Sequence, residues 1–351
     1  MTAAAAAWLP AAVALPALHA RAAADDGRTG RVRVFATTDR PHVQALLDDF
    51  ERAHPRLAVQ YDELNSAELF DRVVSGAQAP DGPDVVWSSA MDLQIKLVND
   101  GHAARYVSPH ADRLPRWAVW KHEAYGTGPE PVGMVVRREL APQSPRTHAA
   151  LAGFLNAHVE RLRGRVLTYD IARAGLGYLL AAQDLLAHAG HWALVRALGR
   201  VGAGQHAETR SMLERVADGR ALLAYNVLGS YAEPLVSRHP ELAMVYFDDY
   251  TLVATRVAFV ARRAPNPQGA RLWLDYLLSI PGQRALAQHG GLHPIRSDAT
   301  LAPEAGGPVS LAQRVGSAAR PILLGPGLLA HLDQSKRAAI QRQWATAFAA
   351  V

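Results

Sequence analysis

The chain has no cysteine, which excludes disulfide frameworks, thiol nucleophiles and cysteine-ligated zinc. A cysteine-free chain suits export, because stray thiols are a liability in an oxidising compartment. Charged residues make up 20% of the chain, too few and too mixed in sign for a disordered polyelectrolyte. There is no Lys/Arg block with interleaved aromatics, so nucleic acid is not an expected partner. Past the N-terminal region, no apolar run reaches membrane-spanning length. Catalytic signatures are missing too. Ser230 follows Gly229, but Ala232 stands where a serine-hydrolase turn has its second glycine. His122-Glu123 lacks the second histidine of a zincin helix. Gly175-Leu176-Gly177 is only part of a dinucleotide loop, with Leu180 where the third glycine belongs. The expectation is a binding protein without cofactor or metal, not an enzyme.

What is present is a chain of 351 residues, 49% hydrophobic, long enough to build two cores. Its net charge of +5 suits an acidic small ligand and equally a basic protein kept soluble by its charge. Residues 3–17 form an alanine-rich apolar run, interrupted by Pro10 and Pro16 and too short for a membrane span. Ala22-Ala23-Ala24 before Asp25 fits a small-x-small cleavage site, so residues 1–24 are expected to be a signal peptide for export. No Lys or Arg precedes the run. The lack of cysteine rules out a lipid-anchored mature N-terminus.

From Arg31 onward the pattern alternates between strands and helices. Short apolar strands are expected at 32–36, 57–61 and 84–87, with helices at 41–54, 67–75 and 91–99. Such alternation predicts a parallel α/β sheet, whose ligands sit beyond the carboxyl ends of strands. Thr37, Thr38, Ser88 and Ser89 fall at those ends. Strands at 132–136 and 165–168 follow, the second ending in Tyr169 and Asp170. The polar loop Glu208-Thr209-Arg210-Ser211 precedes the stretch 222–231, LLAYNVLGSY. That stretch begins as a buried strand and breaks into Tyr225, Asn226, Gly229, Ser230 and Tyr231. A strand running into a glycine turn and a helix start offers N–H groups to an anion. Further strands are expected at 242–246 and 252–260, and helices at 272–278, 282–288 and 336–348. The division that follows has two lobes. Residues 28–131 and 262–351 form the first, residues 132–261 the second, and strands 132–136 and 252–260 cross between them.

The order of these segments resembles the extracellular solute-binding proteins of bacterial ABC importers, in the branch that takes ferric ion and phosphorylated compounds. The resemblance runs from about Arg31 to the C-terminus. It is carried by FATTDRP (35–41), DVVWSSAMDLQIKLVNDG (84–101), WAVWKHEAYGTGPEPV (117–132), LTYDIARAGLGYLL (167–180), AYNVLGSYA (224–232) and LWLDYLLSIPGQRALAQHGGLHPIR (272–296). It implies a type II periplasmic binding protein fold: two α/β lobes, each a mainly parallel sheet flanked by helices, joined by hinge strands around a cleft. It also implies a monomer that docks on an inner-membrane permease.

Ferric members of that branch use adjacent tyrosines, since phenolate is a hard anionic donor. Here the corresponding pair is Tyr225-Asn226, and asparagine cannot supply the second phenolate. The expected ligand is therefore a small anionic organic solute: a phosphorylated sugar, a phosphoglycerate-like compound or a phosphonate. It would be held by Thr37, Thr38, Ser88, Ser89, Tyr169, Asp170, Thr209, Arg210, Ser211, Tyr225, Asn226, Ser230 and Tyr250. Hydroxyls and helix N–H groups suit phosphate or carboxylate, and Arg210 can add a bidentate clamp. Two alternatives stay open: iron held by the separated tyrosines Tyr225, Tyr231 and Tyr250, and a sensory protein feeding a receptor kinase. Each residue also has a structural role open to it. The Thr and Ser pairs suit helix N-caps, Arg210 a solvated loop, and Tyr225 a strand core.

Overall fold

A computed structural model of the chain describes residues 30–76, 81–299 and 310–349. The expected signal peptide lies outside them. In chain order the strands are β1 (Gly30–Ala36), β2 (Leu57–Glu63), β3 (Val85–Ser88), β4 (Val119–Trp120), β5 (Ala124–Arg137), β6 (Val166–Tyr169), β7 (Gly204–His206), β8 (Leu223–Leu228), β9 (Leu242–Val245), β10 (Thr251–Val260) and β11 (Ala319–Pro321). They form one continuous hydrogen-bonded path, β2-β1-β3-β10-β5-β8-β6-β7. Strands β4 and β9 pair with β5, and β11 pairs with β10.

The path has two halves. β2, β1 and β3 are mutually parallel, as are β8, β6 and β7. Between them lie β5 and β10, antiparallel to their neighbours. β5 belongs to both halves: Tyr125 to Pro131 pair with β10, while Val132 to Val136 pair with β8. The architecture is thus two α/β lobes on a mixed sheet, joined through crossing strands.

Burial follows strand period two. Val32, Val34 and Ala36 of β1 pack under the helices Arg40–Ala53 and Pro267–Leu278, against Phe50, Trp273 and Leu274. Phe35, between them, faces a second core. Full burial of a side chain such as Phe50 contributes about 2–3 kcal/mol. In the other lobe, Met134, Val136, Val166 and Leu223 pack against Leu151, Leu194 and Leu198. The core containing Phe35 runs across the junction, taking Met91 and Ile95 from one lobe and Leu167, Leu180 and Met212 from the other.

Two features depart from the sequence expectation. The crossing strand starts at Ala124 and not at Val132, so Gly126, Gly128, Pro129 and Pro131 all lie inside β5. The terminal helix Gln334–Ala349, grouped by sequence with the first lobe, packs on the second. Its Ile340, Trp344 and Ala347 pack with Ile171, Tyr178 and Val195. Gly199, in the helix His191–Arg200, lies so close that a Cβ there would sit 1.9 Å from the Phe348 carbonyl oxygen. Among the described residues, no helix is long and apolar enough to cross a membrane.

Candidate functional site

Each parallel strand of the two lobes leads directly or through a short loop towards a helix that starts at or beside one cleft. After β1, β2 and β3 come the helices Arg40–Ala53, Ser66–Ser75 and Met91–Asn99. Around β6, β7 and β8 the corresponding helices are Gly175–Ala187, Thr209–Ala217 and Gly229–Arg238. Residues at the N-terminal ends of five of them, with Ser89 just before the sixth helix Met91–Asn99, line a cleft of about 520 Å³. The size suits a small organic solute. Only one of the six carries a side-chain cap: Asn65 accepts from the Glu68 N–H. At the other five, the N-cap positions Asp39, Ala90, Ala174, Glu208 and Leu228 make no such bond. The helices that start at Arg40, Gly175, Thr209 and Gly229 present the positive ends of their dipoles to the cleft.

Five of the expected ligand residues line this cleft: Thr37, Ser89, Tyr169, Thr209 and Arg210. The Tyr169 hydroxyl bonds the Thr209 hydroxyl in a short contact. Its pKa is raised, chiefly by burial. Thr37 Oγ1 donates to Ser88 Oγ at 3.2 Å and accepts from the Ser89 N–H at 3.4 Å. Ser88 is itself buried and also accepts from the Ala90 N–H, so it holds Thr37 and the turn in place from behind. Thr38 is buried beneath the cleft, where its hydroxyl accepts from Arg256 and its carbonyl from the Tyr61 hydroxyl. Ser230 is likewise buried and donates to Glu130.

The remaining expected residues lie elsewhere. Asp170 folds back on its own loop, accepting from the N–H groups of Ala172 and Arg173. Ser211 donates to the Glu208 carbonyl one turn back and contacts His206 Nδ1 at 3.0 Å. Tyr225, Asn226 and Tyr250 gather away from the cleft around Asp184 of the helix Gly175–Ala187. All four of those side chains are buried. Burial, then the nearby Asp184, raises the pKa of both tyrosines. These phenols are donors to a carboxyl group. Among the described residues, no three His, Asp or Glu side chains form a cluster able to hold a metal ion.

Of the further cleft residues, the sequence pointed to Glu208 in its polar loop and to Tyr231 at the end of LLAYNVLGSY, but not to Arg173, Glu63 or Glu68. Arg173 stands exposed at its edge, in no ion pair among the described residues. Glu63, Glu68 and Glu208 add acceptors. Asp39, at the mouth, pairs with Arg210 from the opposite lobe at 2.7 Å. Tyr231 lines the wall, its ring 5.0 Å from that of His42.

Comparison with known proteins agrees with this geometry. Residues 32–291 match the bacterial extracellular solute-binding protein family. The substrate-binding protein of an ABC transporter from Agrobacterium tumefaciens is 33% identical, with a TM-score of 0.84 over 92% of this chain and 96% of that one. More distant structures share the fold. AfuA of Actinobacillus pleuropneumoniae, solved with exogenous fructose 6-phosphate, has 15% identity and a TM-score of 0.69 over 91% and 98% of the two chains. Iron-bound HitA of Pseudomonas aeruginosa has 14% identity and a TM-score of 0.71 over 90% and 99%. A search of curated protein sequences gave no match. With two lobes, crossing strands and a cleft ringed by strand ends, the chain belongs to the bacterial extracellular solute-binding proteins and is a periplasmic solute-binding protein of an ABC transporter.

Proposed function

We propose that the cargo is a small anionic organic solute, with a phosphorylated or phosphonate-bearing polyol as the class. The observation that carries this is the convergence of five helix N-termini, four without a side-chain cap, on one cleft, with Ser89 just before a sixth. Each N-terminus is equivalent to about half a positive charge, so an anion there is stabilised without a buried cation beside it. Thr37, Ser89 and Thr209 supply neutral hydroxyls, and Arg173 supplies a guanidinium for a bidentate contact. Glu63, Glu68 and Glu208 suit the hydroxyls of a sugar or polyol. Residues 1–24 act as the export signal in this reading, and the mature monomer hands its cargo to an inner-membrane permease after the lobes close on it.

A thermal-shift series on the mature protein tests the reading. The series contains fructose 6-phosphate, 3-phosphoglycerate, a simple phosphonate, citrate, and Fe(III) with citrate. Native-state binding raises the melting temperature by linkage, so phosphorylated solutes should raise it. A shift with Fe(III) alone, accompanied by a visible phenolate charge-transfer band, would overturn it.

A further inference from the structure

Behind the cleft lies a buried ion pair that the solute-binding assignment does not explain. Arg256 of β10 and Glu130 of β5 are 2% and 0% exposed, with Nε 3.3 Å from Oε1 and a second guanidinium nitrogen 3.4 Å from Oε2. The register of β5 on β10 shifts between Thr255 and Val257, so that Thr127 and Gly128 oppose Arg256 alone. A bulge of this kind re-aims a side chain. Here the Arg256 side chain leaves the ladder, while its carbonyl accepts from the Thr127 hydroxyl at 3.1 Å. Burial opposes its charge, but Glu130, Tyr231 and Tyr61 outweigh that cost and raise its pKa.

The two partners reach into different lobes. Arg256 donates to Thr38, in the turn that carries Thr37. Glu130 accepts from Ser230, in the first turn of the helix that carries Tyr231. The guanidinium carbon is also 5.8 Å from the Tyr231 ring centroid. Both members therefore sit on the crossing strands, and each holds one cleft-facing turn. A buried ion pair is a weak source of stability, because desolvation offsets the attraction. Its value here lies in geometry.

We propose that Arg256 and Glu130 are positioning residues that couple the two lobes, fixing the Thr37-Thr38 turn and the Ser230-Tyr231 turn at the spacing of the closed cleft. The proposal needs only the two-lobed solute-binding fold and is independent of the anionic reading of the cargo.

The absence of cysteine permits clean double spin-labelling at Asp71→Cys in one lobe and Glu214→Cys in the other. The label distance distribution is then recorded for the parent, Arg256→Gln, Glu130→Gln and the control Thr127→Val. The control removes two buried hydrogen bonds, from Trp87 Nε1 of β3 and to the Arg256 carbonyl of β10, but its side chain bonds neither turn. The two pair variants should broaden or lengthen the distribution, and the control should leave it unchanged. Where the parent binds fructose 6-phosphate, each pair variant should bind it about tenfold more weakly, within the usual range of inter-site coupling. A folded Arg256→Gln protein with the parent distribution overturns the proposal. If the single variants do not fold, the double variant Glu130→Leu with Arg256→Leu leaves no unpaired charge and carries the same test. Failure of the parent to bind fructose 6-phosphate counts against the cargo reading alone, since the label distances decide the coupling separately.

Discussion

Asn226 Nδ2 donates to Asp184 Oδ2 at 2.8 Å, and both side chains are buried. Asn226 also has φ 62°, a left-handed conformation that asparagine tolerates better than most residues. The asparagine that stands beside Tyr225 is therefore structural. It ties β8 to the helix Gly175–Ala187, and Tyr250 adds the start of β10 to the same carboxyl group.

Replacing Asn226 should cost stability before it changes binding. Asn226→Ala loses a buried hydrogen bond, about 1–3 kcal/mol, and adds a backbone penalty of about 1 kcal/mol. Urea unfolding should register a loss of roughly 2–4 kcal/mol, with fructose 6-phosphate affinity nearly unchanged. Asn226→Tyr should be destabilised at least as much and should give no charge-transfer band with Fe(III). A band would return the tyrosine cluster to the cleft.

Arg173 should govern affinity for the anion. Among the described residues it is the cleft guanidinium in no ion pair, whereas Arg210 is engaged by Asp39. Hydrogen bonds to a charged group contribute about 1.5–3 kcal/mol, so Arg173→Ala should weaken phosphorylated-solute binding by roughly 10–150-fold. Calorimetric titration measures this, and thermal unfolding without solute should barely move, because the side chain is exposed.

The parallel strands and the helices after them were legible because apolar runs of four to six residues alternate with amphipathic stretches. Thr37 and Ser89 followed from the rule that strand ends face the ligand, and Thr209 from its place in a polar loop. The crossing strand was not legible in full, since GTGPEP has the composition of a loop. In the structure Pro129 and Pro131 stand opposite Thr255 and Val253, and the bulge absorbs the broken ladder. Arg256 and Asp184 left a signal that went unread. One is a lone charge in the apolar strand 252–260, the other a lone charge in the apolar helix 175–187. Such charges need buried partners. Which partners they find depends on long-range pairing, with Glu130 lying 126 residues from Arg256.

Gly177 tests how the cleft wall is built. A Cβ there would lie 2.4 Å from Tyr169 Cβ and 2.8 Å from its ring. Nothing in the helix itself demands glycine, since alanine is the better helix former. Gly177→Ala should nonetheless destabilise by about 1–3 kcal/mol through overpacking. It should also displace Tyr169 from Thr209 and weaken solute binding. A stabilised variant with parent affinity would mean that the helix can retreat without cost.

The pairing of Asp39 with Arg210 spans the mouth of the cleft. The side chains are 22% and 44% exposed, so the pair contributes at most about 1 kcal/mol after solvent screening. It forms between lobes, so its effect belongs to release more than to capture. Asp39→Asn should raise the solute dissociation rate about two- to fivefold at low salt. The difference from the parent should shrink at high salt, where the Debye length falls to about 3 Å. Stopped-flow dissociation at two salt concentrations separates this from a lost ligand contact, which would persist in salt.

Asp92 offers a pH test with a defined sign. It is buried in the first turn of the helix Met91–Asn99, and burial raises its pKa from 3.8 to about 6 against the opposing Leu93 N–H bond and the charge of Arg337. A carboxyl group with a raised folded pKa favours the folded state while protonated in both states, below about pH 4. That contribution is lost as pH rises through about 6, and a displacement of this size corresponds to roughly 3 kcal/mol. Asp92→Asn keeps the acceptor for the Leu93 N–H and has no proton to lose. Its stability relative to the parent should be near parity below about pH 4 and higher by roughly 3 kcal/mol at about pH 8. Urea titrations across that range measure the difference directly. A constant offset at every pH would mean that the Asp92 side chain reaches water in solution.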